Sequence, residues 1–344
     1  MDIVERLREA IHKLPSGDHS IGLSAITRHI NAAIRHFENG IETDQDCFTD
    51  SIYRTNQAYE GSLKEAYRVL AKKDPSGLTP HKIESYLEKN QIVRPRVLLQ
   101  LSRYRQDYRN PSSHDYKLDF NEDEALLAIV SVCAFAKLLV GQISEKLAFD
   151  NAERLIGKTS SPNTDNSSDL ALFICKSIVD YLNNTNAPED EYALNGTISA
   201  VASNAGFDTL LDAVMYEEQG LTWDIMALKD EIKIPIEIRR ADADPNKKNF
   251  YCVHTINEVA LEQKIDTAVC LLKSKRDDEY NVFLTTFKST EIYFISNFTL
   301  DEMNTHNSER VVFTLEFRGH DNTQRPLLAG GSQAEFQGHN TELR

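Results

Sequence analysis

The apolar residues of this chain keep one period through its first two hundred residues and another from Leu210 onward. Ile3, Leu7, Ala10, Ile11 and Leu14, then Ile26, Ile30, Ala33, Ile34 and Phe37, recur in steps of three and four, the spacing that lines one side of a helix. Ile232, Ile234, Ile236 and Ile238 instead alternate strictly with Lys233, Pro235, Glu237 and Arg239, which sends two sets of side chains to opposite faces of a strand. A single layer cannot serve both periods, so a helical part and an α/β part are expected. At 344 residues the chain has room for two domains of about 150 residues each. The break is expected at residues 157–168, from Gly157 to Ser168, where Ser, Asn and Pro replace any apolar periodicity. The domains are then 1–156 and 169–318, with a polar, aperiodic and disordered tail over 319–344.

Within the first domain, helices are expected over residues 2–14, 21–38, 49–71, 81–89 and 95–109. Asn121, followed by Glu122, Asp123 and Glu124, is an N-cap with an acidic first turn and a capping-box Glu. The helix it opens is apolar nearly all round, from Leu126 through Ile129, Val132 and Phe135 to Val140, and belongs at the centre of a bundle or dimer core. No apolar run is expected to reach the roughly 18 residues that span a bilayer, and the N-terminus lacks a signal pattern, so a cytoplasmic protein without membrane contact is expected.

Between the last two helices lies Arg109-Asn110-Pro111-Ser112-Ser113-His114-Asp115-Tyr116, read as a short loop with Pro111 ending the first helix near Asn110. It brings a fixed cation, a titratable imidazole and a phenol within a few residues. The arrangement of Arg109, Asn110, His114 and Tyr116 resembles the signature of HEPN ribonuclease domains, and its Tyr two positions after the His resembles a toxin subfamily paired with a minimal nucleotidyltransferase. The resemblance covers roughly residues 1–150 as an all-α bundle; only the Arg-to-Tyr stretch is a specific signal. It implies a homodimer in which two such loops meet at one site. It also places a Glu or Asn of the earlier helix near the His, for which Asn56 and Glu60 are the candidates.

The chemistry fits those residue types. RNA carries its own nucleophile, the 2′-OH, so cleavage needs a base, a cation for the phosphorane and an acid for the leaving oxygen. An imidazole with a pKa near about 6.5 suits the base, which assigns it to His114. A guanidinium stays charged and bonds two non-bridging oxygens together, which assigns the phosphorane to Arg109. Asn110 would hold His114 or a phosphate oxygen. Tyr116 is either a stacking or structural residue or, as in the matching toxin subfamily, a residue that a partner enzyme nucleotidylylates. An isolated Arg-x4-His would equally describe a capping loop in which Arg109 pairs with Asp107 or Asp115.

In the second domain, helices over 169–183 and 196–204 should precede three antiparallel strands at 210–217, 221–228 and 232–240. A helix over 257–272 and strands near 280–287, 291–295 and 308–317 complete the pattern. Helix, three antiparallel strands, helix and strand resembles the restriction-endonuclease-like core, an α/β fold on a mixed sheet. Asp224 and Glu237-Ile238-Arg239 match its Asp and Glu-x-Lys motif in order, thirteen residues apart. The resemblance implies that Asp224 and Glu237 hold a magnesium ion. Glu217 or Glu218 is a further ligand candidate, and Gln263 corresponds to a helix-borne Gln of some members. The departure is Arg239 in place of lysine: an arginine stabilises phosphate charge but stays protonated, which is unsuited to activating water.

The formal net charge of −15 disfavours broad nucleic-acid binding. Residues 94–117 run against it, with Arg94, Arg96, Arg103, Arg105, Arg109 and Lys117 facing only Asp107 and Asp115, and would draw phosphate to that place. Cys47, Cys133, Cys175, Cys252 and Cys270 show neither disulfide nor zinc spacing and are expected as reduced core residues. His29 and His36 share a helix face, but no third ligand type accompanies them in sequence.

The HEPN resemblance implies a metal-independent endoribonuclease that leaves a 2′,3′-cyclic phosphate and needs no cofactor at that site. The setting that the resemblance implies is a toxin or anti-phage defence effector, with an antitoxin or defence-system protein as partner and the C-terminal domain binding or sensing nucleic acid. One alternative is a magnesium-dependent DNase acting on DNA through Asp224 and Glu237, with the helical half for dimerisation. The other is a non-catalytic assembly module.

Overall fold

A computed structural model describes residues 3–114, 117–157, 162–216, 221–240, 256, 265–274, 278–287, 289–299 and 316–317. The first part is helical: α1 (Ile3–His12), α2 (His19–Glu42), α3 (Asp46–Leu70), α4 (Pro80–Lys89), α5 (Pro95–Tyr104), a π-helical turn (Arg105–Arg109), α6 (Asn110–His114) and α7 (Glu122–Leu155). After α8 (Ser167–Asn184) and α9 (Glu191–Asn204) come β1 (Asp208–Tyr216), β2 (Leu221–Lys229), β3 (Ile232–Arg240), β4 (Thr267–Lys273), β5 (Asn281–Phe287), β6 (Thr290–Ser296) and β7 (Glu316–Phe317). The chain is therefore a helical part followed by an α/β part with a mixed sheet. Tyr116, Glu217, Glu218, Cys252, Gln263 and residues 319–344 lie outside the described residues.

Local chemistry sets the helix starts. Thr79 accepts the Lys82 amide hydrogen ahead of Pro80, whose missing N–H costs nothing in the first turn. Asn121 and Glu124 close the capping box in both directions, at 3.0 and 2.9 Å. The α7 helix so opened is the hub against which α1, α2, α3 and α5 pack. Contrary to the sequence expectation, it is long and apolar enough to cross a membrane, because Lys137 alone interrupts a stretch otherwise without charge from Ala125 to Ile143. Most of that stretch is packed inside the protein, where an all-round apolar surface is what a central helix requires.

The stretch after Tyr104 is the main correction. Residues 105–114 do not form a loop; the helix of α5 continues through a π turn into α6, and Pro111 lies inside it. In an α-helix the Pro111 ring would strike the carbonyl four residues back and leave it without a donor. The π turn widens the backbone just before the ring, and the Asn110 amide reaches back five residues to the Arg105 carbonyl.

The sheet runs β1-β2-β3-β4-β6-β5-β7. β1, β2 and β3 form an antiparallel meander, β4 is parallel to β3 and β6 to β4, and β5 pairs antiparallel with β6 and β7. Isoleucines 234, 236 and 238 face α8 and α9 in one core with Ile174, Ile178 and Ile198. The expected helix over 257–272 is corrected at its second half, since Thr267–Lys273 is β4. Its run Ala-Val-Cys-Leu-Leu is buried throughout, the continuous apolar pattern of a central parallel strand, which periodicity does not separate from a buried helix.

The two parts meet along α7 and α9. A Cβ on Gly196 would stand 2.0 Å from the Glu145 carbonyl oxygen, so the two backbones touch there as only glycine allows. Asp190 caps α9 through the Ala193 amide and also accepts from Ser144 of α7, at 3.1 Å. Arg94, at the start of α5, reaches Glu145 at 2.5 Å and Asp212 of β1 at 2.7 Å.

Candidate functional site

The first candidate centre is the helical stretch 104–114 laid across α3. Arg109 ends the π turn with its side chain about one quarter exposed. Its Nη2 stands 3.6 Å from Glu60 Oε1 of α3, and its Nη1 donates to Asn110 Oδ1 at 3.4 Å. The ion pair with Asp107 weighed from sequence does not form; α3 supplies the carboxylate instead. Asn56, one turn before Glu60, is buried and donates to Ser112 Oγ at 2.7 Å, while Ser112 Oγ donates to the Arg109 carbonyl at 3.1 Å. Tyr53 donates to the Ser112 carbonyl at 3.2 Å. Three α3 residues about a turn apart thus hold the stretch on both sides of Pro111: Tyr53 by the Ser112 backbone, Asn56 by the Ser112 side chain and Glu60 by the Arg109 side chain.

Tyr104 underlies this clamp. Its hydroxyl lies 2.6 Å from Thr55 Oγ1 and 3.0 Å from Asn56 Oδ1, and its ring stacks on Tyr59 at 5.0 Å. Burial pushes its phenol far up, so it remains a neutral hydrogen-bonding group at any physiological pH. Sequence reasoning picked out Asn56 and Glu60 but missed Tyr53, Tyr104 and Ser112 as supports. Tyr53 and Tyr104 meet the stretch only through helix packing, whereas Ser112 stood inside it. His114 closes α6 by its backbone; Tyr116 lies outside the described residues.

The basic run beside the stretch is largely consumed within the protein. Arg105 pairs with Glu84 at 2.6 Å, Arg96 with Asp212 at 2.8 Å, Arg94 with both Glu145 and Asp212, and Arg109 with Glu60. The expected phosphate-drawing patch is therefore much reduced: packing against α4, α7 and β1 brings carboxylates that the linear count cannot register.

The second candidate centre is on the sheet. The register Ile225↔Ile236 sets Asp224 opposite Glu237, and the flanking pairs Leu211↔Ile225 and Ala213↔Trp223 set Asp212 opposite Asp224. Three carboxylate residues thus stand in a row across β1, β2 and β3. Asp212 has a left-handed φ of 50° and is engaged by Arg94 and Arg96. Asp224 Oδ2 accepts the Ile238 amide hydrogen at 2.7 Å. Arg239 pairs with Glu237 Oε1 and stands 4.0 Å from Asp224 Oδ2. Glu237 is only 2% exposed, whereas the Arg239 side chain beside it is 43% exposed.

Burial and then the neighbouring Asp224 push the Glu237 carboxyl up, against the opposing pull of Arg239. Burial likewise raises Asp224, against the Ile238 amide and Arg239. Among the described residues, the buried Glu237 Oε2 has no hydrogen-bond partner. That orphaned oxygen, opposite a second carboxylate, fits a divalent cation held by Asp224 and Glu237; the Arg239 guanidinium on Oε1 competes for the same charge. The sheet brings Asp224, Glu237 and Arg239 side by side.

No protein family, curated protein or solved structure matches the chain.

Proposed function

We propose that this protein is a HEPN-type endoribonuclease that cuts RNA without a metal ion and acts as a toxin or anti-phage effector. The observation that carries this reading is Arg109: a guanidinium only partly exposed, held by Glu60, on a backbone that Asn56, Tyr53 and Ser112 fix from beneath. A cation preorganised in this way needs little rearrangement to meet the charge that develops on a phosphorane.

In this mechanism His114 removes the 2′-OH proton, the 2′-oxygen attacks phosphorus, and Arg109 bonds the non-bridging oxygens. The P–O5′ bond breaks, and the leaving oxygen takes a proton from the partner copy's equivalent imidazole. The products are a 2′,3′-cyclic phosphate and a 5′-OH end. A homodimer supplies the second imidazole. Leu126, Leu127 and Val130, 46%, 55% and 42% exposed on the opening turns of α7, offer apolar surface for the second copy close after the motif. The α/β part would bind or sense nucleic acid, on an endonuclease-like core. Tyr116 would stack on substrate or support the site.

The test is cleavage of total cellular RNA in excess EDTA by the wild-type chain and by His114→Ala. Cutting by the wild type alone supports the reading. Equal cutting by the variant would sink it.

A second reading is favoured by the orphaned Glu237 oxygen: a magnesium-dependent DNase at Asp224 and Glu237, with the helical half serving dimerisation. EDTA separates the two, since it would stop this activity and spare the other.

A further inference from the structure

Where the start of α3 packs against α2, three donors of different chemistry converge. His36 comes from α2, while Cys47 and Asp50, three residues apart, come from one face of α3. Their nearest ligand atoms all lie within 4.8 Å of one another, and His36 Nδ1 is 4.0 Å from Asp50 Oδ2. Along the chain, His36 has no third ligand type beside it and Cys47 has no zinc spacing. Antiparallel packing of two helices supplies both, a contact invisible to linear spacing.

We propose that His36, Cys47 and Asp50 bind one zinc ion, with water in the fourth position. Zinc bonds of about 2.0–2.3 Å in a tetrahedron require donors roughly 3.3–3.8 Å apart. The three donors therefore need to close by only about 1 Å, within the reach of side-chain torsions, and Asp50 is free to swing because its side chain is 58% exposed. A thiolate with an imidazole and one carboxylate selects a borderline-soft ion over magnesium or calcium.

The scaffold beneath the donors is rigid. The residues next to His36 and Cys47 in sequence, Phe37 and Phe48, hold their rings 5.8 Å apart. Gly40 lies flush on Phe48, where an added Cβ would come within 2.6 Å of the ring. The two helices are thus locked together beside the donors, which lowers the cost of gathering them. The surroundings also favour a cation, since Asp44 and Asp46 lie just before Cys47 in the chain and add negative charge beside the three donors. A metal here would tie α2 to the end of α3 that continues into Tyr53, Asn56 and Glu60.

The test is titration of the reduced, intact chain with Co2+, whose thiolate bond gives a charge-transfer absorption band. The expected result is a band saturating at one ion per chain, displaced by Zn2+, absent in Cys47→Ser and weakened more than about tenfold in His36→Ala. Circular dichroism checks that each variant is folded. No band in the wild type would overturn the proposal, and so would a band that survives in Cys47→Ser or binds as tightly in His36→Ala.

Discussion

Asn56 Nδ2 donates to Ser112 Oγ across 2.7 Å, and the same amide offers its oxygen to Tyr104 at 3.0 Å. One buried side chain therefore joins the floor of the helical core to the backbone that carries Arg109. Asn56→Ala would leave buried polar groups unpaired at a cost of about 1–3 kcal/mol. The expected outcome is a lower urea midpoint together with a loss of RNA cleavage. A variant as stable and active as the wild type would show that the clamp is idle.

Arg109 tests the chemistry directly. Arg109→Ala should reduce metal-free RNA cleavage by about 10²–10³-fold, the usual effect of removing one donor to a developing charge. Arg109→Lys should not restore it, because an ammonium cannot bond two phosphate oxygens in one plane. Initial rates on a defined RNA in EDTA decide the matter; full activity in the lysine variant would reduce the role to bare charge.

Glu145 gives a pH dependence. It lies buried on α7 beside Arg94, and burial pushes its carboxyl up to about 7 although Arg94 opposes this. The folded state then holds a proton that the unfolded chain, with a carboxyl pKa near about 4.3, releases. The folded state binds more protons across that window, so this group's contribution to stability falls as pH rises from about 4.3 to about 7. The wild-type Tm should drop across that range relative to Glu145→Gln, measured side by side. Parallel curves would mean that Glu145 titrates at its ordinary value.

Gly196→Ala sets two effects against each other. Alanine favours the helix by about 1 kcal/mol. Its methyl would meet the Glu145 carbonyl oxygen at 2.0 Å and the carbonyl carbon at 2.8 Å, both backbone atoms that cannot swing aside. Overpacking of about 1–3 kcal/mol should win, so chemical denaturation should show a net loss. A gain in stability would mean that α7 and α9 part easily.

The sheet site turns on Arg239, whose guanidinium pairs with Glu237. Arg239→Lys should give magnesium-dependent DNA cleavage that Glu237→Gln removes. If Arg239→Lys binds magnesium by calorimetry but still cuts nothing, the Asp224 and Glu237 pair binds without catalysing.

Much of this architecture was legible in the sequence, because apolar spacing and caps are local properties. The Asn121 capping box, the Ile232–Ile238 alternation and the meander of β1 to β3 follow from residues within a few positions of one another. Two elements misled for opposite reasons. Pro111 announces a helix end, but a π turn upstream absorbs it; Thr267–Lys273 looks helical because a strand buried on both faces has no alternation to display. At the sites, Asp224 and Glu237 could be paired from spacing, since adjacent strands turn distance along the chain into register. The partners of Arg109, and the meeting of His36 with Cys47, depend on which helices pack together, and linear sequence does not encode that in any short pattern.

The unbroken run from Pro95 to His114 has a mechanical consequence. Arg94 and Arg96 at its head grip Asp212 on the sheet, and Arg109 lies about 22 Å along the same axis at the usual helical rise of about 1.5 Å per residue. Helices bend where a π turn or a proline interrupts them, and this run carries both between Arg105 and Pro111. Tyr53 and Asn56 of α3 hold Ser112 just past that joint, so the contacts with α3, rather than the grip on Asp212, set where Arg109 stands.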